Sequence, residues 1–202
     1  MATHTSWGRT KNVGQRAAIA QYMQVSEAAV VDQQTKNVAH ADYLCKSSVF
    51  ESKWTTGPNS LIELGSVNTE WLRKEWQDWR GYIDSNDKAK TVTSVLEYFD
   101  GLLKKNKTTA DFFNFRTGLA YAELPSNHYY VLANAYTGEV CIYKTVEMGQ
   151  ALRTGKLLPN RFTFARDLRK GDYTMVCACF EEVDLLPYKV ASYKINELIG
   201  LE

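Results

Sequence analysis

The sequence predicts an α+β chain: a helical amino-terminal half followed by an antiparallel sheet with packed helices. Three observations carry that expectation. Apolar residues recur at helical spacing within residues 16–32, 68–85 and 91–105. Between His128 and Thr145, two β-rich runs flank Thr137-Gly138, the clearest hairpin signal in the chain. A helical run, strand-like runs and a last helical run follow that hairpin.

Residues 1–15 are polar, contain Gly8 and Gly14, and carry Arg9 and Lys11 just ahead of Arg16. They read as an arm, of the kind that frays or that touches nucleic acid or a neighbouring subunit. A mostly helical region is expected over 16–110. In its first part Ala18, Ile19, Tyr22, Met23, Val25 and Ala29 make a helical stripe, although the end of that run suits a strand equally. Gly57-Pro58-Asn59 is a turn between two short strand-like runs. Leu72, Trp76, Trp79 and Ile83 fall on one face of the strongest helix, widened by Trp71 and Tyr82. A second helix over 91–105 carries Val92, Val95, Leu96, Phe99, Leu102 and Leu103, and the two would pack as an antiparallel pair.

An α+β region is expected over 111–202, with any division near 105–120; one continuous domain fits as well. After the 128–145 hairpin come a helix over 146–158 and a strand over 161–166. A turn at Gly171-Asp172 and an apolar strand over 172–182 follow. Pro187 opens a final helix with Val190, Tyr193, Ile195, Leu198 and Ile199 as its apolar positions.

Composition excludes several classes. The chain has 202 residues, of which 45% are hydrophobic, too rich for disorder and enough to bury a sizeable core. A net charge of +1 argues against a dedicated nucleic-acid coat, though not against a local basic patch. Cys177 and Cys179 share one face of a strand, which is poor disulfide geometry, and they lack the spacing of a metal knuckle. All four cysteines therefore read as buried free thiols of a reducing compartment. No stretch has signal-peptide character, and no window approaches the ~18 apolar residues of a membrane helix. The expectation is a cytoplasmic or virion-associated protein with no membrane contact.

No phosphate-binding glycine loop, zinc-protease helix or serine elbow is present. The leading expectation is thus a non-catalytic binding or assembly protein, a viral, phage or accessory subunit that holds a protein partner or a second copy of itself and needs no cofactor. Trp71, Trp76 and Trp79 are its candidate contact residues, because tryptophan anchors desolvated interfaces; they also suit core packing. A nucleic-acid-binding module is an alternative, with Arg166, Arg169 and Lys170 as candidate phosphate contacts beside the arm and residues 104–107. His128 and Cys141 share the hairpin, which raises the idea of a Cys–His nucleophile.

The hairpin also resembles the GIY-YIG nuclease superfamily. Tyr130, Asn134, Gly138 and Ile142 stand where that pattern has its tyrosine, asparagine, turn glycine and isoleucine. His128 and Tyr143 stand where it has glycines. The resemblance covers only the carboxy-terminal region. It implies a nuclease using Tyr130, Arg153 and a Mg²⁺-binding Glu197: the glutamate holds the cation, the arginine stabilises charge on phosphate, and the tyrosine helps orient water. Each has a plainer reading as well, in strand packing, helix capping and a solvated surface.

Overall fold

The computed structural model describes residues 4–32, 42–68, 93, 96–97, 101, 126–166, 173–198 and 200. Helix α1 (His4–Met23) leads through a 3₁₀ turn to strands β1 (Val31–Asp32), β2 (Tyr43–Cys45), β3 (Ser48–Thr55) and β4 (Ser60–Asn68). After residue 125 come β5 (His128–Asn134), β6 (Glu139–Lys144), helix α2 (Thr145–Arg153), β7 (Arg161–Arg166) and β8 (Tyr173–Phe180). The chain ends with the short helix α3 (Glu182–Leu185), a 3₁₀ turn, β9 (Lys189–Lys194) and α4 (Ile195–Leu198).

The strands form two sheets. The larger has the order β1-β2-β3-β5-β6-β9, and the smaller β4-β8-β7. β1, β2 and β3 form an antiparallel meander. β3 then pairs parallel with β5, Val49 opposite His128 through Thr55 opposite Asn134. A parallel pair requires a long crossover, and residues 56–127 supply it; β4 leaves for the second sheet on the way.

Side-chain alternation along the central strands gives the large sheet two buried faces. Phe50, Val131, Ala133, Val140 and Ile142 meet Ala18 and Ile19 of α1 on one face. Tyr130, Leu132, Cys141 and Tyr143 meet α2 and the small sheet on the other, through Met148, Leu152, Ile62, Ala178 and Phe180. The hairpin turns at residues 135–138. There Asn134 Oδ1 accepts the Tyr136 and Thr137 N–H groups at 2.9 and 3.3 Å, and Gly138 takes φ +69°.

Three sequence expectations are corrected. The amino-terminal half is not a helical region, because residues 31–68 supply four strands, and the sheet they join is mixed rather than antiparallel. The two strand-like runs around Gly57-Pro58-Asn59 are β3 and β4, as expected, but strands buried on both faces lose the clean alternation that marks a one-sided strand, so the sheet around them was not legible. The polar arm is helical from His4 onward, and Gly14 and Gln15 are buried. The segment after Pro187 forms β9 before any helix, because β6 offers an open edge and the Val190/Tyr193 spacing fits either period over so short a run.

The tryptophan helix lies outside the described residues, as do Arg169 and Lys170. Within the expected 91–105 helix, residues 93, 96, 97 and 101 are helical, and Leu96 is buried in the core. The four cysteines are buried free thiols. Among the described residues, no helix is long and apolar enough to cross a membrane.

Candidate active site

Charged residues in the middle of a sheet need a reason, and β3 carries two. Glu51 and Lys53 are two residues apart, so both project from the same face of β3. Tyr130 lies opposite Glu51 on β5, on the face turned towards the small sheet. A tight turn at residues 56–59 brings the chain back as β4. Thr55 Oγ1 fixes that turn by donating to the Asn59 carbonyl at 3.3 Å and accepting the Gly57 N–H at 3.4 Å. β4 then delivers Glu63, which sits opposite Cys177 of β8. Asp42, just ahead of β2, completes the group. Its Oδ2 accepts the Ser52 N–H and Oγ–H, both at 2.8 Å, which anchors the carboxylate to β3 between Glu51 and Lys53.

Lys53 is the centre of this cluster. Its Nζ contacts Glu51 Oε1 and lies 2.8 Å from Glu63 Oε2. Glu51 and Glu63 are 4% and 3% exposed, whereas the Lys53 side chain keeps 21% of its surface. Glu63 N–H donates to the Tyr130 hydroxyl at 3.1 Å. From the α1 side, the Gln15 side-chain N–H donates to the Lys53 carbonyl at 2.8 Å.

The electrostatics follow from two carboxylates touching one lysine, with Asp42 acting from further off. Burial pushes the Glu51 carboxyl up to about 8; Lys53 pulls it back, and Asp42 and Glu63 push it further. Burial works against the Lys53 charge. The negative groups Glu51, Glu63 and Asp42, with Tyr130, overcome it and hold the lysine well above its ordinary value. The Cys177 thiol is pushed up to about 12, by burial first and by Glu63 second. It is a protonated neighbour and not a nucleophile.

A second group, Glu139, Cys141 and Glu182, has ligand atoms within 4.8 Å of one another. Each of its carboxylates already has a lysine: Glu139 with Lys194 at 2.6 Å, and Glu182 with Lys189 at 2.9 Å. Cys141 Sγ lies 3.5 Å from Ser192 Oγ, and burial raises its thiol. These contacts clasp β9 to the sheet and balance their own charge.

Of the sequence-predicted residues, Tyr130 belongs to the Lys53 cluster. Arg153 is the last residue of α2. Glu197 is exposed on α4, whose Ile195 and Leu198 pack against the α1-side core, on the opposite face of the large sheet from Tyr130. Tyr130 accepts the Glu63 N–H and feels the Lys53 charge. Arg166 ends β7 opposite Thr174, and its side chain lies outside the described residues. His128 is buried with Nδ1 3.1 Å from Thr145 Oγ1, and burial lowers it to about 4. Cys141 sits opposite Leu132 instead, so the Cys–His pairing is not formed. Sequence reasoning missed Asp42, Glu51, Lys53 and Glu63. The signals were an acid and a lysine two apart inside a β-rich run, and an acid between Ile62 and Leu64.

Compared with protein-family models, curated proteins and solved structures, the chain gives no match in any of the three. The chemistry of the site is accordingly read from its own residues.

Proposed function

We propose that the chain is a divalent-metal-dependent phosphodiester hydrolase acting on nucleic acid, with its site at Asp42, Glu51, Lys53 and Glu63. One observation carries the reading: a single lysine is held between two buried carboxylates, with a third acid anchored on the adjacent strand segment, at the point where the two sheets meet. Burial first, and then the neighbouring Asp42 and Glu63, raise the proton affinity of Glu51 against the pull of Lys53. The donors are all hard oxygens, the type that Mg²⁺ and Mn²⁺ take.

Glu51 and Glu63, whose oxygens meet at Lys53, would hold the cation, with Asp42 adding negative charge from further off. When bound, it supplies Lewis-acid charge to a phosphoryl oxygen and makes its water more acidic. Lys53 keeps its proton at any workable pH, so it serves as a fixed charge for the developing phosphate negativity and not as a base. Tyr130 is a positioning residue: by accepting the Glu63 N–H, it fixes where β4 presents its carboxylate.

The test is cleavage of DNA and RNA by the purified chain with Mg²⁺ or Mn²⁺. Glu51→Gln and Lys53→Met should each lower the rate by about 10²-fold or more, and Glu197→Ala should match the wild type. A wild type inactive with both metals, or full activity in Glu51→Gln, removes the reading.

A second reading, a protein-binding or assembly subunit, is favoured by Val183 and Leu186. They are 63% and 50% exposed beside β9, the last strand of its sheet. Light scattering on the wild type and on Val183→Asp/Leu186→Asp checks it. An oligomer that dissociates in the variant supports it, and a wild-type monomer with no change removes self-association.

A further inference from the structure

We propose that Gln15 of α1 is a positioning residue for the Glu51 and Lys53 site, acting through the backbone of β3. This rests on the reading of the site as a metal-dependent hydrolase. Gln15 stands three and four positions ahead of Ala18 and Ile19, so it shares the α1 stripe that meets the large sheet. It is fully buried, and its side-chain N–H donates to the Lys53 carbonyl at 2.8 Å. That bond reaches β3 from the α1 side, the face opposite the one that carries Tyr130 and the Glu51 and Lys53 side chains. The glutamine therefore acts on the strand and not on the charged groups.

This segment of β3 needs such a hold. Among the described residues, β2 pairs with β3 only over Ser48–Phe50, whereas β5 pairs with it as far as Thr55. From Glu51 onward β3 has a strand on one side only, and side chains take over: Asp42 holds the Ser52 N–H, and Gln15 holds the Lys53 carbonyl. The other end of the amide argues that this hold is its purpose. Gln15 Oε1 is buried and, among the described residues, has no hydrogen-bond partner. An unpaired buried acceptor destabilises the fold about as much as one good hydrogen bond stabilises it. An apolar side chain of the same volume would pack as well, so what the amide adds is a fixed position for the peptide that carries Lys53. Groups that orient a metal-binding or catalytic residue from behind are worth about 10- to 100-fold in activity.

The test compares the full chain with Gln15→Met and Gln15→Leu, which keep the volume and lose the donor. Cleavage of DNA and RNA with Mn²⁺ or Mg²⁺ gives kcat and KM, and thermal unfolding gives Tm. The expected result is a kcat about tenfold lower with KM within about twofold of the wild type, and a Tm that does not fall, because the unpaired oxygen leaves together with the bond. A wild-type kcat in a folded variant overturns the positioning role while the metal-dependent reading stands. So does a loss of activity that comes with a falling Tm, or two variants that do not fold, since either outcome makes Gln15 a plain structural residue. If the wild type cleaves nothing with either metal, both the reading and the role of Gln15 are overturned.

Discussion

Lys53 Nζ lies 2.8 Å from Glu63 Oε2, and this contact ties a strand of the six-stranded sheet to a strand of the three-stranded one. Removing one partner of such a pair leaves the other charged and buried. Lys53→Met should therefore cost about 3 kcal/mol of stability. Urea unfolding followed by circular dichroism measures it, and a loss below about 1 kcal/mol would mean that the contact behaves as a surface pair does.

Glu51 holds its proton to about 8 in the folded chain, against an ordinary value of 4.5. The folded state therefore binds more protons than the unfolded state between those limits. Its contribution to stability is complete below 4.5 and falls as pH rises towards 8. Glu51→Gln should flatten that slope. Chemical unfolding at several pH values reads the difference, and equal slopes in the two proteins would contradict the burial argument.

His128 titrates in the opposite sense. Burial lowers it from 6.5 to about 4, so its contribution is complete above 6.5 and is lost as pH falls towards 4. Between 6.5 and 8, then, Glu51 acts and His128 does not. The imidazole carbon signals of His128 should stay at their neutral positions from pH 8 to 5 in an NMR titration.

The 135–138 turn depends on two residues. Gly138 has open space where a Cβ would go, but its φ of +69° is unfavourable for a side chain. Gly138→Ala should cost about 1 kcal/mol through backbone strain alone. Asn134→Ala removes the acceptor for two backbone N–H groups and should cost a similar amount, roughly 1 kcal/mol. Melting temperatures that drop in both variants would support this account; an unchanged Gly138→Ala would refute its strain component.

Much of the carboxy-terminal region was legible from local pattern. Thr137-Gly138 between two β-rich runs specifies a hairpin, and Arg-Phe-Thr-Phe-Ala-Arg alternates as a strand should; β5, β6 and β7 follow. The amino-terminal half was less legible. α1 docks its second half through small residues, Ala17, Ala18 and Ala20, which make a weak stripe. β3 and β4 were legible as strand-like runs around Gly57-Pro58-Asn59, but the acids and lysine they carry hid how deeply they are buried. Of the candidate site, only Tyr130 came from sequence reasoning, and it came with the partners Arg153 and Glu197 rather than Glu63 and Lys53.

The sequence by itself determined the hairpin and its turn, and the four cysteines as free thiols, since those depend on residue type and near neighbours. Tertiary structure alone decided that β3 runs parallel to β5, that β4 departs to a second sheet, and that Glu51, Lys53 and Glu63 therefore meet. Tyr130 and Glu63 are 67 positions apart in the chain, and no short-range pattern encodes their contact. It exists because burying both faces of one sheet forces particular strands together, and the charges they carry must then find one another.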